Sequence, residues 1–310
     1  MKYNPFHLGN HRCWNRLVIM MMISIVTAII ITHPVINTIT DLDLAKTVSL
    51  NSSMNFDNSW SFKLDNYTIE HQGIGVIDLT VTYDYRDDLM PDHPWQYLEI
   101  QQVYNYIHEY LTNYPNETDF WEILNKNLVL SLLNQPISTV SGLESNLSEV
   151  VDMLTVEINV LPGSSDILIP RTTIVLGSPT PEGIVLNESW MFTLEDYPVE
   201  HQGDATIDLT VSYDYVDATD NNQLQYPEFM QIYNYIASFI RHYPNETDSW
   251  EVLNENLVME LLTQTIPNVF GSEYRLAEIL DSVSVTIDIM YGSSKTSTSH
   301  SISVNGRPTV

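Results

Sequence analysis

The chain carries one pattern twice, and that repetition bounds every fold it can take. QYLEIQQVYNYI over Gln96–Ile107 is followed by YPNETDFWEILNKNLVLSLL over Tyr114–Leu133. QYPEFMQIYNYI over Gln225–Ile236 is followed by YPNETDSWEVLNENLVMELL over Tyr243–Leu262. Upstream, Ile69-Glu70-His71-Gln72-Gly73 is matched by Val199-Glu200-His201-Gln202-Gly203, and IDLTVTYDY from Ile77 by IDLTVSYDY from Ile207. The spacing is about 130 residues, far beyond the 20–50 of solenoid repeats and the size of a domain. One fold is duplicated in tandem, so each candidate site has to be read twice.

Each copy reads as β-β-α-α-β-β. Trp60, Phe62 and Leu64 mark a first strand, echoed by Trp190, Phe192 and Leu194. In the second strand Ile77, Leu79, Val81, Tyr83 and Tyr85 face one way and Asp78, Thr80, Thr82 and Asp84 the other, a period of two that predicts one buried face. The first helix follows from the stripe Phe229, Ile232, Tyr233, Ile236, Phe239 and Ile240, matched by Ile100, Val103, Tyr104 and Ile107. Asp119-Phe120-Trp121-Glu122 and Asp248-Ser249-Trp250-Glu251 each read as a capping box that opens a second helix. Alternation over Leu154–Val160 and Val283–Ile289 gives a third strand, and Arg171–Leu176 and His300–Asn305 a fourth. Pro- and Gly-bearing residues place a linker at 178–186, between units at 56–177 and 187–310.

The N-terminus differs in kind. Lys2, Arg12 and Arg16 sit in a basic leader, residues 1–16, ahead of an uncharged apolar run. The run is long enough to span a bilayer over 17–39, and residues 40–55 form a stalk. With the basic flank N-terminal and Asp41 and Asp43 beyond, the expected orientation is N-terminus cytoplasmic and body extracytoplasmic, periplasmic or extracellular. Asn66, Asn116, Asn187 and Asn245 stand in Asn-x-Ser/Thr triplets, acceptors only in a eukaryotic secreted chain.

Charge and cysteine content remove whole function classes. A net charge of −28 repels polyanions, so nucleic acid is not a partner. A single cysteine, Cys13, forbids an internal disulfide and a cysteine metal cluster. His71 and His201 are one per repeat, short of the three ligands a zinc site needs, and no cofactor is called for.

The order of elements resembles the tunnelling fold (T-fold), and within it dihydroneopterin aldolase. The residues carrying the resemblance are Tyr97 and Tyr226 before the first helix, Glu122 and Glu251 at the start of the second, the Asp-Leu-Thr-Val strand, and the turn at Pro162-Gly163 and Gly292. The resemblance implies an α+β fold of two tandem units, with antiparallel sheets and helices on one face, preceded here by one N-terminal transmembrane helix. It further implies self-association through sheet edges, two units supplying half of a barrel-forming ring. Asp78, Thr80, Thr82, Asp208, Thr210 and Ser212 would line its interior. It makes Glu122 and Glu251 anchors for a small planar heterocycle, pterin-like, since adjacent N–H donors suit a bidentate carboxylate, with Tyr97 and Tyr226 stacking on the ligand as the other substrate-binding residues. The family's catalytic Lys near the end of the third strand has no counterpart in Asn159-Val160-Leu161-Pro162 or Asp288-Ile289-Met290-Tyr291.

The expected function is a membrane-anchored, non-catalytic or diverged pterin- or purine-like binding module. The alternatives are an active aldolase or epimerase-type lyase with a displaced proton carrier, and a structural self-assembly protein without ligand. For the site residues a plainer account also stands. Glu122 and Glu251 serve as helix-start caps, Tyr97 and Tyr226 pack beneath the helix, and His-Gln-Gly forms a turn in which Gly supplies an unusual backbone angle.

Overall fold

Alternation builds the sheet. Ile77, Leu79 and Val81 are fully buried, while Asp78, Thr80 and Thr82 between them stay half-exposed. The computed structural model describes residues 59–86, 97–115, 119–139, 142, 144–162, 169–216, 226–227, 229–244, 247–267, 273–290 and 297–305. The anchor expected at 17–39, the stalk, Asn116 and Asn245 lie outside these residues. Among the described residues, no helix is long and apolar enough to cross a membrane.

The first repeat runs β1 (Ser59–Glu70), β2 (Ile74–Tyr85), α1 (Ile100–Thr112), α2 (Trp121–Asn134), β3 (Pro136–Ser138), β4 (Glu144–Asn146), α3 (Leu147–Val150), β5 (Val151–Val160) and β6 (Arg171–Thr180). The second runs β7 (Gly183–Glu200), β8 (Asp204–Tyr215), α4 (Phe229–Arg241), α5 (Trp250–Thr263), β9 (Thr265–Pro267), β10 (Glu273–Arg275), α6 (Leu276–Ile279), β11 (Leu280–Met290) and β12 (Ser297–Asn305). The fold is α+β, and the expected β-β-α-α-β-β order appears twice. Each copy also holds a hairpin of two three-residue strands and a one-turn helix that its alternation did not announce.

Eight strands form one antiparallel sheet in the order β1-β2-β5-β6-β7-β8-β11-β12. The segment expected as a linker is part of it: Ser178 pairs with Val185, Pro179 with Ile184 and Thr180 with Gly183. Pro and Gly mark a tight hairpin here, and Gly183 takes a φ of 143° that favours glycine. The repeats therefore share one sheet, seamed along β6 and β7.

Local devices recur with the sequence. β1 bulges between Leu64 and Tyr67, and Asn66 (φ 53°) donates its backbone N–H to the Asp78 carboxylate at 2.8 Å. Asp196 (φ 53°) and Asp208 repeat this at 2.8 Å. Asn125 of α2 is buried and donates to the carbonyls of Val156 (3.0 Å) and Thr173 (3.1 Å) on adjacent strands. Asn254 does the same to Val285 (3.1 Å) and His300 (3.3 Å). The sheet closes tightly on α2 at Gly177, where a Cβ would come within 2.7 Å of Leu133 and Val129.

Matching helices are covered differently. On α2, Glu122, Ile123 and Lys126 are buried and Leu130 is half-buried; on α5, their counterparts Glu251, Val252, Glu255 and Met259 are exposed. The same holds across the sheet. Trp190, Phe192 and Leu194 of β7 are buried, whereas Trp60, Phe62 and Leu64 of β1 are exposed or half-exposed. β7 lies beside the first repeat, and β1 is an edge of the sheet.

Candidate functional site

The seam between the repeats gathers the first cluster. Glu122 sits in the first turn of α2, 4% exposed, and accepts a hydrogen bond from the Tyr215 hydroxyl at 3.2 Å. Burial lifts its carboxyl to about 7, against its own backbone N–H, the Arg171 charge and the Tyr215 bond, all of which favour the ionised form. Four residues on, Lys126 forms an ion pair with Glu188 of β7 at 3.0 Å, their side chains 4% and 1% exposed. Tyr226 donates a short hydrogen bond to Glu188, and its ring meets Tyr215 edge-on at 5.0 Å. Burial first, then Glu188, pushes the Tyr226 hydroxyl pKa far up, so it remains a donor. Arg171 opens β6, donates to Gln72 at 3.2 Å and lies 5.2 Å over the Phe229 ring of α4.

These contacts separate the four sequence-predicted residues. Glu122 and Tyr226 are brought together in the seam. Glu251 and Tyr97 lie towards opposite ends of the sheet, Tyr97 beside Tyr85 of β2 and Glu251 on the helix that packs against β11 and β12. Glu251 is exposed on α5, where its own backbone N–H and then the Ser249 hydroxyl hold its carboxyl below the usual range. Tyr97 is half-buried, 4.9 Å from Tyr85, whose hydroxyl accepts the Leu98 N–H at 3.2 Å. The capping boxes do not form as expected: N-cap positions fall on Phe120 and Ser249, and neither makes a side-chain cap bond. The Asp119 carboxylate accepts the Tyr114 hydroxyl instead, at 3.1 Å. Lys126, Glu188, Arg171 and Tyr215 went unread. For the three charged residues the signal is the difference between repeats: Glu255 stands where Lys126 does, Asn58 where Glu188 does and Thr298 where Arg171 does, whereas Tyr215 has Tyr85 as its counterpart and carries no such signal.

The second cluster explains why EHQG and YPNETD are repeated almost unchanged. The β1–β2 tip turns through Gln72 (φ 52°) and Gly73 (φ 96°), and the β7–β8 tip through Gln202 (φ 52°) and Gly203 (φ 103°), as the turn reading expects. Each Gln reaches the interhelix loop, Gln72 to the Asp119 carbonyl (2.8 Å) and Gln202 to Asp248 (2.6 Å). His71 and His201 are buried beneath, edge-on to Trp121 and Trp250 at 4.6 Å, and no ring nitrogen has a hydrogen-bond partner. Clefts border both tips, about 850 Å³ beside His201, Tyr197 and Arg241, and about 330 Å³ beside Tyr67 and Tyr114. Among the described residues, no group of three His, Cys, Asp or Glu stands together to hold a metal.

Burial, outweighing the Asp119 carboxylate charge, lowers the His71 pKa to about 4. Its unfolded value is near 6.5, so the neutral folded form is fully favoured above that pH and stability is lost as pH falls towards 4, by up to about 3 kcal/mol. His71→Phe keeps the packing on Trp121 and removes the titration. Urea midpoints at pH 7 and pH 4.5 are expected to show the variant losing about 2–3 kcal/mol less than the parent on acidification. An equal loss in both would contradict the assignment.

No protein-family model matches this chain, and no curated protein does.

Proposed function

We propose that the chain is a membrane-anchored, extracytoplasmic module of the tunnelling-fold type, non-catalytic, whose role is to assemble edge to edge with a second copy of itself. One observation carries the reading. Side chains that the seam buries are repeated on the open edges, where they are bare: Trp190 is 2% exposed and Trp60 51%, Ile123 9% and Val252 40%. Exposed aromatic and aliphatic groups on an unpaired strand are a ready template for another chain. β12 and β1 are the sheet's two edges and correspond to β6 and β7, so β12 of one copy fits beside β1 of another in the manner of the internal seam. Such head-to-tail contacts close into a ring when the rotation completes a circle. Two eight-stranded sheets would then make a barrel of sixteen strands.

The seam supports assembly over ligand binding. The Glu122 carboxyl meets Tyr215 directly, and beside it Glu188 is ion-paired with Lys126 and accepts the Tyr226 hydroxyl. Lys126 is held by Glu188 and is not a free proton carrier for lyase chemistry. The heterocycle reading keeps one supporting observation: Glu251 stays ionised and exposed, open to a bidentate donor edge beside Tyr85 and Tyr97 of a second copy. Sedimentation of the full chain in detergent tests the proposal. A closed homodimer is the expected species, and a strict monomer at every pH from 5.5 to 7.5 would overturn it. Calorimetry with a pterin tests the second reading, which falls if Glu251→Ala leaves the heat of binding unchanged.

A further inference from the structure

The internal seam is balanced in charge. Glu122 and Glu188 are offset by Lys126 and Arg171, and all four lie in or beside one buried cluster. The open edge carries the same frame without the cations. Strand pairing places Val160 opposite Arg171 and the corresponding Ile289 opposite Thr298, so Thr298 stands for Arg171. Glu251 stands for Glu122 and Glu255 for Lys126, one helical turn apart on the exposed face of α5. In the sequence, Asn58 stands for Glu188.

The groups that face these two carboxylates are few. Asp248 and Ser249 lie at the start of the same helix, and Asp248 is engaged by the Tyr243 hydroxyl at 3.3 Å. β12 offers His300, whose charge favours the ionised Glu251 carboxyl and whose Nδ1 lies 3.2 Å from the Asn254 amide nitrogen. By the pattern of Tyr215 and Tyr226, a second copy brings Tyr85 and Tyr97, neutral phenols that donate hydrogen bonds and supply no positive charge. Docking would bury two carboxylates one turn apart with no Lys or Arg in the corresponding places. Burial disfavours the ionised form, and a neighbouring carboxylate disfavours it further.

We propose that joining of the open edges takes up protons at Glu251 and Glu255, so that copies of this chain associate in mildly acidic medium and separate as pH rises. The inference rests on the edge-to-edge reading above. Its sign follows from the position of the proton: a carboxyl raised on burial binds its proton in the joined state and loses it in the free state, so association weakens with rising pH. Glu122, in the corresponding place, is already lifted to about 7 with Arg171 nearby.

The test is sedimentation of the full chain in detergent from pH 5.5 to pH 7.5. The expected dimer dissociation constant rises about tenfold per pH unit for each proton taken up. Glu251→Gln with Glu255→Gln is expected to give a dimer whose affinity no longer changes with pH. Both residues are exposed in the single chain, so these substitutions leave its fold intact. Glu255→Lys with Asn58→Glu gives the edge the Lys and Glu of the seam's sequence and is expected to hold the dimer at pH 7.5. A wild-type dimer of constant affinity over this range overturns the proton inference and leaves assembly standing. Monomers at every pH, the charge-restored variant included, overturn both.

Discussion

Lys126→Met alone is expected to cost about 3–5 kcal/mol of folding stability, while the same change combined with Glu188→Leu is expected to recover most of that loss. The single variant strips Glu188 of its partner at a place where its side chain is 1% exposed. Glu188 would keep only the Tyr226 hydroxyl, and an ion held in a dry seam by one neutral donor is poorly solvated. Glu122 lies beside it and already resists ionisation. The double variant removes both charges and fills similar volume, which in buried pairs is often neutral. Urea denaturation of the parent, both single variants and the pair gives the coupling between them. Additive losses would show that the two residues do not act as a pair.

Trp60→Ala and Trp190→Ala change equivalent residues and are expected to behave oppositely. Trp190 is 2% exposed and packs edge-on against Phe229 at 5.9 Å, so its truncation should cost about 3–5 kcal/mol of stability. Trp60 is 51% exposed in the single chain, where its loss should stay within about 0.5 kcal/mol at dilution. In the proposed assembly it would become a buried aromatic anchor, and its truncation should weaken association by about 2 kcal/mol or more, roughly thirtyfold. Denaturation at low concentration and sedimentation at high concentration separate the two effects. Association carried by an anchor helix alone would be indifferent to Trp60. A large loss of stability on Trp60→Ala at dilution would mean that the chain buries this edge itself.

How far the sequence disclosed this arrangement depended on whether the cause was local. The strand at Ile77–Tyr85 and the stripe of α4 were legible because one buried face imposes period two on a strand and three to four on a helix. The short β3–β4 and β9–β10 hairpins carry too few residues to show any period. At 178–186, Pro179 and Gly183 signalled a break correctly, but a tight hairpin and a linker use the same residues. Glu122 and Glu251 mark where local reading ends. They share the context Trp-Glu-x-Leu-Asn, yet one is buried against Tyr215 and the other faces solvent. Only the neighbouring repeat distinguishes them, and no window along the chain contains it.

If two copies join in the manner of the internal seam, its register fixes where their edges meet. Thr172 lies opposite Met191 across β6 and β7. Through their partners Asn159 and Asp288, and Ser212 and Thr82, these correspond to Ser299 and Ser61. Both serines are exposed, and Cys13 is the only native cysteine. In a Cys13→Ser background, Ser61→Cys with Ser299→Cys, oxidised in mildly acidic medium, should give a covalent dimer on a non-reducing gel, because directly opposed strand residues lie within disulfide reach. Recovery of monomer alone, or of a disulfide closed within one chain, would contradict edge-to-edge assembly.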